Sequence, residues 1–387
     1  MSSSAPSHDV AVPVEDQLRW IRARMPLTAA SVAALPDLRE VRLACSMHLE
    51  EKMAPAVEGL LARGAQVFLT TCNPSTVRDD FVAWCRARGA HTAAWRGMSA
   101  AEAAEARAQA LAFAPTHLCE MGADLTGELL ARGGPAAARV RAGLEATGSG
   151  TNRLAGLTLP YPVFNWDDLP IKEGLHNRHM VGLVMCHAFF ERTRLTFHGM
   201  RVLVVGYGLV GQGVCHAVRA YGGQVIVAEQ DPARALEAQF AGWSIEPLAE
   251  ALARVDVVVT ATGAAGVIGA AAFERLRDGA FLINVGHADQ EIDVPALYRH
   301  EHESVLPFVE AVTLGSRRVY LFAGGSMANL SAGQGDSLNA FDVTLAAMVA
   351  GIGFIAGAGA SYAPGLHMLP RSAWLPVAAR AAYGEVR

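Results

Sequence analysis

The sequence predicts an α/β protein with two doubly wound, largely parallel sheets. Strand signals alternate with helix signals in the first part of the chain, and the alternation returns from residue 201 onward. Such alternation is typical of a parallel sheet that is covered by helices on both faces. The second stretch opens with VLVVGYGLVGQG (202–213), an apolar run followed by four glycines. A chain of 387 residues is long enough for two or three domains, so we expect one sheet in each stretch.

The first stretch contains two clear strand signals. VRLACSM (41–47) and QVFLTTC (66–72) are short apolar runs, and helical patterns follow at 48–63, 77–90 and 99–113. This part of the chain has no glycine-rich turn. We therefore expect its sheet to bind something other than a dinucleotide.

Residues 201–239 have the pattern of a complete strand–turn–helix–strand unit. Gly206, Gly208 and Gly211 have the spacing of a dinucleotide-binding fingerprint. The first glycine permits a tight turn, the second lets the backbone approach a pyrophosphate, and the third packs the helix against the strand. Leu209 and Val210 lie between these glycines and are assigned to the same cofactor site.

An acidic residue indicates which dinucleotide binds. Glu229 ends the second strand of the unit, where a carboxylate accepts from a ribose 2′-hydroxyl and repels a 2′-phosphate. We therefore expect NAD rather than NADP. Two more strand signals, at 255–263 and 280–287, should continue the sheet. Thr262, Gly263 and Asn284, at the carboxyl ends of those signals, should face the cofactor crevice.

The composition excludes several classes of function. A net charge of −5 and a pI of about 6.2 provide no basic field for nucleic acid. No uncharged run reaches the length of a membrane span, although residues 346–365 come nearest, and the start lacks the apolar core of a signal peptide. The six cysteines show no CxxC pairing, which favours reduced thiols in a cytoplasmic protein. We expect no metal, nucleic-acid or membrane partner.

A series of segments carries a resemblance to a known family. In chain order they are RWIRARMP, ACSMHLE, TTCNPSTVRDD, EMGADLTGELL, EATGSGTNRL, PVFNWDDLPIKEGLHN, VVGYGLVGQG, VAEQDPARALEA, TATG, NVGHADQEID and GGSMANLSAGQG. From about Leu18 the chain resembles the adenosylhomocysteinase (S-adenosylhomocysteine hydrolase) family.

The resemblance implies a domain plan. A discontinuous substrate domain and a Rossmann domain with tightly held NAD would be joined by hinge helices near 178–195 and 337–355. The corresponding ranges are 1–178 for the first part of the substrate domain and 179–336 for the NAD domain. Residues 337–387 would return to the substrate domain or to a neighbouring subunit. The resemblance also implies a homo-oligomer, either a tetramer or a dimer.

The chemistry that the resemblance implies explains why a nucleoside domain precedes the glycine turn. NAD removes a hydride from C3′ of a nucleoside ribose, the ketone acidifies the C4′ proton, and the 5′ substituent leaves by β-elimination. In the family, water then adds and the hydride returns. Lys172 and Asn177 match the residues that handle the 3′-hydroxyl, His48 matches the histidine that serves C5′, and His287 matches one that lines the ribose. A lysine beside a nicotinamide cation should have a lowered pKa, which suits it to take a proton.

The resemblance also assigns residues to the cofactor outside the glycine turn. Thr147 and Ser149 partly match a threonine trio that hydrogen-bonds NAD, and Asn329 matches an asparagine that contacts it.

Several positions depart from the family on the nucleoside side. Met121 replaces a carboxylate, and Ala146 replaces a glutamate that holds the 2′-hydroxyl. His176, which we count among the catalytic residues, replaces the aspartate that pairs with the lysine and asparagine. The other changes lie in the substrate site: Glu50 and Lys52 replace a threonine and a glutamate that meet the adenine, and Asp336 replaces a gate histidine.

These departures leave three hypotheses. Loss of a carboxylate that serves as acid or base costs about 10²–10⁴ in rate, and water addition should suffer most. We therefore favour a dehydratase or lyase that yields a 4′,5′-unsaturated nucleoside, as in biosynthesis of an angustmycin-type antibiotic. A hydrolase for S-adenosylhomocysteine or a related thioether nucleoside is the second hypothesis. In it, His176 and Asp336 perform the roles of the family residues that they replace. A non-catalytic NAD-binding regulator is the third.

Overall fold

The computed structural model describes residues 14–286 and 290–384. Its contacts divide the chain into two compact units. The first unit contains the residues up to Trp166 and those from Phe341 onward, and the second contains Asp167–Ala340. The limits 178 and 336 expected from the sequence remain predictions for the domain boundaries.

The strands are numbered in chain order. They are β1 (Arg42–Ser46), β2 (Gln66–Thr70), β3 (His91–Ala93), β4 (His117–Glu120), β5 (Ala142–Glu145), β6 (Pro162–Asn165), β7 (Arg201–Val205), β8 (Gln224–Ala228), β9 (Ser244–Ile245), β10 (Val257–Thr260), β11 (Phe281–Asn284), β12 (His302–Leu306), β13 (Val309–Leu314), β14 (Arg317–Phe322) and β15 (Gly365–Met368).

The α-helices are numbered in the same way. They are α1 (Val14–Arg24), α2 (Pro26–Ala33), α3 (Ala54–Ala62), α4 (Asp79–Ala87), α5 (Ala100–Ala112), α6 (Asp124–Arg132), α7 (Pro135–Arg139), α8 (Gly148–Leu154), α9 (Val181–Thr193), α10 (Leu209–Ala220), α11 (Pro232–Phe240), α12 (Leu248–Ala251), α13 (Ala270–Phe273), α14 (Val294–Leu297), α15 (Ala328–Ser331), α16 (Leu338–Gly357) and α17 (Arg371–Tyr383).

The first unit contains a seven-stranded sheet in the order β15-β6-β5-β4-β1-β2-β3. Every pair in it is parallel. The strand order reverses direction between β1 and β4, and ligands of open α/β sheets bind at the carboxyl ends of the strands at such a point. The sequence predicted only β1 and β2 of this sheet, since the remaining strands are shorter.

A proline shapes the chain after β1. The sequence predicted one helix from residue 48 to residue 63, but the structure has a 3₁₀ turn at Glu51–Met53 and begins α3 at Ala54. Pro55 lies in the first turn of α3, where a missing N–H costs nothing. His48 therefore lies in a loop at the end of β1 and not on a helix.

The long helix α16 belongs to the first unit, and by length and composition alone it could cross a membrane. Just over half of its most apolar window, 56%, is buried inside the protein, as in the core helix of many folded domains. Its Asp342 accepts hydrogen bonds from the backbone N–H groups of Leu27 (2.9 Å) and Thr28 (2.7 Å). These bonds satisfy the N-terminus of α2, whose own N-cap residue Met25 provides no side-chain bond.

The second unit contains an eight-stranded sheet in the order β12-β13-β14-β11-β10-β7-β8-β9. The strands from β14 to β9 are parallel, as the glycine turn and strand signals predicted. The antiparallel strands β12 and β13 extend the sheet past β14, and the sequence did not predict them. The order of the parallel strands reverses between β7 and β10, so the glycine turn after β7 lies at the switch point.

Candidate active site

The glycine turn follows β7 in the second unit. Gly206 has φ +94°, and a Cβ at this position would lie 2.9 Å from the Ala261 carbonyl oxygen. A Cβ on Gly211 would lie 2.0 Å from the Gly206 carbonyl oxygen. Both contacts exclude a side chain, so the first and third glycines serve the tight turn and the packing that the sequence predicted.

The second glycine leaves room for a ligand. Gly208 is the N-cap residue of α10 and provides no side-chain bond, and Leu209 and Val210 are the first residues of this helix. A Cβ on Gly208 would have one neighbour within 4 Å, an Arg234 guanidinium nitrogen at 3.8 Å. The N–H groups at a helix N-terminus favour an anion, and the arginine adds positive charge. This turn can therefore receive a pyrophosphate.

Glu229 follows β8 and lies against the glycine turn. Its carboxylate accepts from the backbone N–H groups of Tyr207 (2.7 Å), Gln230 (2.7 Å) and Asp231 (2.9 Å). The carboxylate is thus held in place by three amides, at the position where the sequence predicted a ribose contact.

A buried glutamate that the sequence analysis missed organises the loop after β10. Glu291 is fully buried, and its carboxylate accepts from the N–H groups of Thr262 (2.9 Å) and Gly263 (2.6 Å) and from the Thr262 hydroxyl (2.8 Å). The predicted strand at 255–263 is shorter than expected, so both residues lie in this loop. Asn284, at the end of β11, receives hydrogen bonds from Thr260 (3.0 Å) and from the Gly286 N–H (2.9 Å).

Asn329, on α15, is buried with 3% exposure. Among the described residues, nothing donates a hydrogen bond to its side-chain oxygen. A buried acceptor without a donor is costly, so this oxygen is suited to a donor from a ligand. The open glycine turn, the carboxylate of Glu229 and this acceptor together fit a dinucleotide.

The predicted oxidation residues lie on an unusual helical segment. Glu173–Met180 is π-helical, with Lys172 as its N-cap residue, and it carries His176 and Asn177. The backbone N–H groups of His176 (2.8 Å) and Asn177 (3.3 Å) both bond to the Lys172 carbonyl oxygen. π-Helical turns are rare and occur frequently at functional sites.

A fourth glycine of the glycine run brings α10 close to this π-helical segment. A Cβ on Gly213 would lie 2.0 Å from the carbonyl oxygen of Arg178. On the adjoining helix α9, a Cβ on Gly182 would lie 2.8 Å from the backbone of Val214. These close approaches fix the π-helical segment against the helix that begins at the dinucleotide turn.

Lys172 forms an ion pair with Asp167, and both side chains are largely buried, with 12% and 10% exposure. The sequence analysis did not single out Asp167. The chain has only two lysines among 32 lysines and arginines, Lys172 and Lys52. Arginine cannot lose its proton in proteins, whereas a lysine can when its surroundings favour the neutral amine. A lysine at position 172 therefore suits a proton-transfer role.

His176 contacts Asp336 through Nδ1, although the two residues are 160 positions apart. The Asp336 side chain is buried, with 2% exposure, and that of His176 is 24% exposed. The structure thus brings together two positions that the sequence analysis named separately, one as catalytic and the other as substrate-binding.

In the first unit, the predicted nucleoside residues lie at the carboxyl edge of the sheet. Ser46, Glu120 and Glu145 are aligned across β1, β4 and β5. Met121 follows Glu120, and its N–H donates to the Ser46 carbonyl oxygen (2.9 Å). Ala146 follows Glu145, is 1% exposed and donates to the Glu120 carbonyl oxygen (3.0 Å). Met121 and Ala146 therefore lie side by side at the ends of β4 and β5, and Met121 lies at the switch point, where a ligand is expected.

Two buried carboxyl groups lie one residue before these apolar positions. Glu120 accepts from the N–H groups of Leu125 (2.6 Å) and Thr126 (3.1 Å) at the start of α6. Glu145 accepts from the N–H groups of Gly122, Ala123 and Thr147, each at 2.9 Å, and from the Thr147 hydroxyl at 2.7 Å. Both carboxyl groups are thus committed to holding loops and helix starts.

Burial raises the pKa of both carboxyl groups. The pKa of Glu120 rises to about 8, mainly because of burial and also because of the neighbouring Glu145 carboxylate. Burial raises the pKa of Glu145 to about 7, against hydrogen-bond donors that lower it, the Gly122 N–H first among them. The pair therefore retains a proton near neutral pH.

His48 is held at the end of β1 by two residues that the sequence analysis did not assign. Its Nδ1 lies 2.8 Å from the Thr76 hydroxyl, and its ring nitrogens lie 3.7 and 3.8 Å from the Cys72 sulfur. Thr76 and Cys72 belong to the loop after β2, the neighbouring strand. The TTCNPSTVRDD motif contained both residues, but only the tertiary structure brings them to the histidine.

The predicted base-contacting residues form a buried ion pair. Lys52 Nζ lies 3.4 Å from a carboxylate oxygen of Glu50, and the two side chains are 8% and 15% exposed. The same ammonium lies 4.9 Å from the centre of the Phe341 ring. At the two positions predicted to contact adenine, a cation and an anion therefore lie together, and an aromatic ring lies near the cation.

Two residues of the first unit that were predicted to contact the cofactor, Thr147 and Ser149, lie at the start of α8. Thr147 is its N-cap residue and accepts from the Gly150 N–H (3.0 Å), and its hydroxyl lies 3.2 Å from that of Ser149. His287 lies outside the described residues.

Comparison with known proteins agrees with this arrangement. Residues 184–335 match the model of the S-adenosyl-L-homocysteine hydrolase NAD-binding domain, so NAD is the cofactor. The chain is 33% identical to S-inosyl-L-homocysteine hydrolase of Methanopyrus kandleri, over 92% of this chain and 87% of that protein. It is also 33% identical to adenosylhomocysteinase of Pyrobaculum aerophilum, over 88% of this chain and 85% of that protein. Among solved structures, a dipicolinate synthase chain of Bacillus halodurans matches with TM-score 0.40 and 13% identity, over 67% of this chain and 86% of that chain. The identities to the two hydrolases, sustained over most of each chain, show that this protein belongs to the adenosylhomocysteinase family.

Proposed function

We propose that this enzyme of the adenosylhomocysteinase family oxidises a nucleoside at C3′, eliminates its 5′ substituent and reduces the product without adding water. It would then be a nucleoside dehydratase or lyase whose product has a 4′,5′ double bond, as in angustmycin-type antibiotics. The observation that carries the proposal is the combination of an intact lysine–asparagine oxidation set with apolar residues at 121 and 146.

The oxidation half of the reaction rests on the π-helical segment. Lys172 takes the proton of the 3′-hydroxyl, and Asn177 orients that hydroxyl by hydrogen bonding. NAD would be held by the glycine turn and Glu229, and it would supply the hydride acceptor for C3′ and the hydride donor for the later reduction. Asp167 holds the ammonium form of Lys172 once the lysine has taken its proton.

The elimination half needs an acid for the leaving group but no base for water. The 3′-ketone acidifies the C4′ proton, and transfer of this proton to the His48 imidazole places electrons between C4′ and C5′. The 5′ substituent departs with its bonding pair and takes the same proton from the imidazole. His48, fixed at Nδ1 by the Thr76 hydroxyl, serves the C5′ end and protonates the leaving group.

The absence of hydration rests on the carboxyl edge of the first sheet. Met121 provides a thioether, which is at most a weak acceptor, and Ala146 provides no polar group. The adjacent carboxyl groups of Glu120 and Glu145 are occupied by bonds to α6, α8 and the turn between β4 and α6. Activation of water needs a free base within hydrogen-bond reach, and these side chains do not supply one.

Hydrolysis of a thioether nucleoside is the second candidate, and the printed names of the relatives favour it. Both similar proteins described above are named as hydrolases of homocysteine thioethers. In that case His176 and Asp336 would take over tasks that other side chains perform in the family.

Product analysis separates the two candidates. Purified enzyme is incubated with adenosine, inosine, S-adenosylhomocysteine and S-inosylhomocysteine, and the products are measured by mass spectrometry. Loss of 18 Da from a nucleoside, without homocysteine, supports the dehydratase. Release of homocysteine together with a hydrated nucleoside supports the hydrolase and overturns the dehydratase.

The role of Lys172 is tested separately. Lys172→Ala should abolish the reduction of NAD by a nucleoside while NAD stays bound, since Lys172 is not part of the glycine turn. Near-normal reduction of NAD by this variant would overturn the assignment. NAD content after gel filtration provides the control for binding.

A further inference from the structure

We infer that His176 and Asp336 act as one unit, in which Asp336 is a positioning residue for His176 and does not bind substrate. This inference rests on the proposed function, because His176 lies on the segment that carries Lys172 and Asn177. It goes further because it assigns different tasks to two residues that differ from the family. His176 transfers a proton, and Asp336 positions His176.

His176 and Asp336 show an exchange of residue types relative to the family. The family resemblance expects an aspartate at position 176 and a histidine at position 336, and this chain has a histidine at the first and an aspartate at the second. In the structure these two side chains touch, although 160 positions separate them. In this chain the pair therefore consists of one imidazole and one carboxylate in direct contact.

Lys172 has a carboxylate partner of its own in this chain. A histidine at 176 can no longer supply the carboxylate that balances the lysine. In this chain Asp167 supplies it instead, through an ion pair in which both side chains are about one-tenth exposed. The side chain at position 176 is therefore not needed as the partner of the lysine. Lys172 and His176 can each carry a positive charge, and each contacts its own carboxylate, Asp167 and Asp336 respectively.

The contact with Asp336 also determines the tautomer of His176. Asp336 contacts Nδ1, so the carboxylate accepts the Nδ1–H and leaves Nε2 as the proton-accepting nitrogen of the neutral ring. The carboxylate is 2% exposed, and a buried charge of this kind is stable only when it is paired and hydrogen-bonded. Asp336 thus fixes both the ring plane and the tautomer, which are what a proton-transferring histidine requires.

The chemical consequence is a second proton acceptor on the segment of Lys172. When the 3′-hydroxyl proton moves to the Lys172 amine, the lysine becomes an ammonium ion. Nε2 of His176 can accept this proton from the Lys172 ammonium, so that one N–H bond breaks at Nζ and another forms at Nε2. The Asp336 carboxylate balances the imidazolium ion that results. No electron transfer is involved in this step, and the proton returns when the ketone is reduced.

A spectroscopic experiment tests the pairing without any substrate. The protein is labelled with 15N-histidine, and the imidazole shifts of His176 are assigned by comparison with His176→Asn. The expected result is a ring with hydrogen on Nδ1 in the wild type and a changed tautomer ratio in Asp336→Asn. An identical tautomer ratio in the two proteins would overturn the inference.

A reciprocal exchange tests the function. His176→Asp places two carboxylates together, and Asp336→His places two imidazoles together, so each single variant should slow the reduction of NAD by adenosine or inosine about 100-fold through kcat more than KM. The double variant His176→Asp/Asp336→His should recover at least about 10-fold of that loss. A double variant as slow as the product of the two single effects would overturn the inference.

Two further measurements distinguish a failure of the His176–Asp336 pairing from a failure of the proposed function. His179→Asp, at an exposed histidine of the same segment, is the matched control and should leave the rate unchanged. Thermal unfolding of the four proteins of the exchange cycle should show the same compensation as the rates, even if no nucleoside reduces NAD. Wild-type protein that is inactive on every nucleoside, with an intact tautomer signature, would contradict the proposed function but would support the pairing.

Discussion

Under the proposed function, the side chain at Met121 decides between an unsaturated and a hydrated product. Its main-chain N–H is fixed to Ser46 at the switch point of the first sheet, so a replacement side chain starts from a defined place. This position follows a fully buried glutamate that already bonds to α6. Changing residue 121 therefore adds a functional group without removing one that holds the fold.

Met121→Asp should restore part of the hydration route. An aspartate can accept a proton from water, whereas a thioether cannot, so part of the unsaturated product should become hydrated nucleoside. Mass spectrometry of the products measures the ratio, and Met121→Leu is the matched apolar control. If the wild type already hydrolyses S-adenosylhomocysteine rapidly, then Met121 does not decide the outcome.

Glu120 makes the stability of the protein depend on pH. Its pKa of about 8 in the folded state lies above the ordinary value of 4.5, so the bound proton stabilises the folded form. That stabilisation is fully present below about pH 4.5 and is lost as the pH rises through about 8. The free energy of unfolding should therefore fall across this window, by up to about 1.4 kcal/mol per pH unit for one proton.

Glu120→Gln should flatten this dependence. The substitution removes one titrating group and also removes the charge that adjoins Glu145. Denaturant unfolding at a series of pH values measures the slope, with the exposed Glu105→Gln as control. An equally steep fall in Glu120→Gln would show that other groups cause it.

At the scale of elements, the helix α10 links the dinucleotide turn to the π-helical segment. Its N-terminus follows Gly208, and one turn later Gly213 allows the backbone of Arg178 to approach closely. Helices in contact through glycine can approach more closely than side chains would allow. The π-helical segment is thereby placed relative to the glycine turn by main-chain contact within the second unit.

Gly213→Ala should separate cofactor binding from catalysis. The added Cβ would lie 2.0 Å from the Arg178 carbonyl oxygen, so the segment that carries Lys172 and Asn177 must move. Small displacements of positioning groups are costly, so we expect NAD reduction to slow about 10- to 100-fold while NAD still binds. Single-turnover absorbance measures the rate. Gly174→Ala, in the same segment with nothing within 4 Å of its Cβ, should have little effect.

At the scale of the whole molecule, two units of similar topology perform different tasks. In each sheet the order of the parallel strands reverses once. In each sheet, candidate functional residues lie at the carboxyl ends of strands near this reversal. Only the second unit has the glycine turn, so only this unit is matched by the NAD-binding model. The homo-oligomer expected from the resemblance stays a prediction, which light scattering after gel filtration can check.

NAD should stabilise the whole protein more than NADP does. Ligand at 100 times its Kd adds about 2.7 kcal/mol to the free energy of unfolding, which appears as a rise in Tm. In Glu229→Ala, the three N–H groups that hold the carboxylate become free to receive a 2′-phosphate. The difference between the Tm increases caused by NAD and by NADP should therefore become smaller. Exposed Glu250→Ala is the control. An unchanged preference in Glu229→Ala would contradict the role assigned to this carboxylate.

The sequence by itself determined the α/β class, the NAD unit and the family. Strand and helix periodicity, the glycines at 206, 208 and 211 and the glutamate at 229 are properties of short segments, so they can be identified without a structure. The same reasoning named Lys172, Asn177 and His48 through motifs that are contiguous in the chain. It also identified the unusual residues at 121, 176 and 336, but not what surrounds them.

Only the tertiary structure decided which of these residues meet. His176 and Asp336 come together across 160 positions, and His48 receives Thr76 and Cys72 from the loop after a neighbouring strand. The alignment of Glu120 with Glu145 depends on the register of two parallel strands. Antiparallel β12 and β13, and the return of β15 to the first sheet, depend on hydrogen bonds to distant strands. Local patterns specify a segment's own conformation, whereas contacts between distant segments depend on sheet order, register and packing.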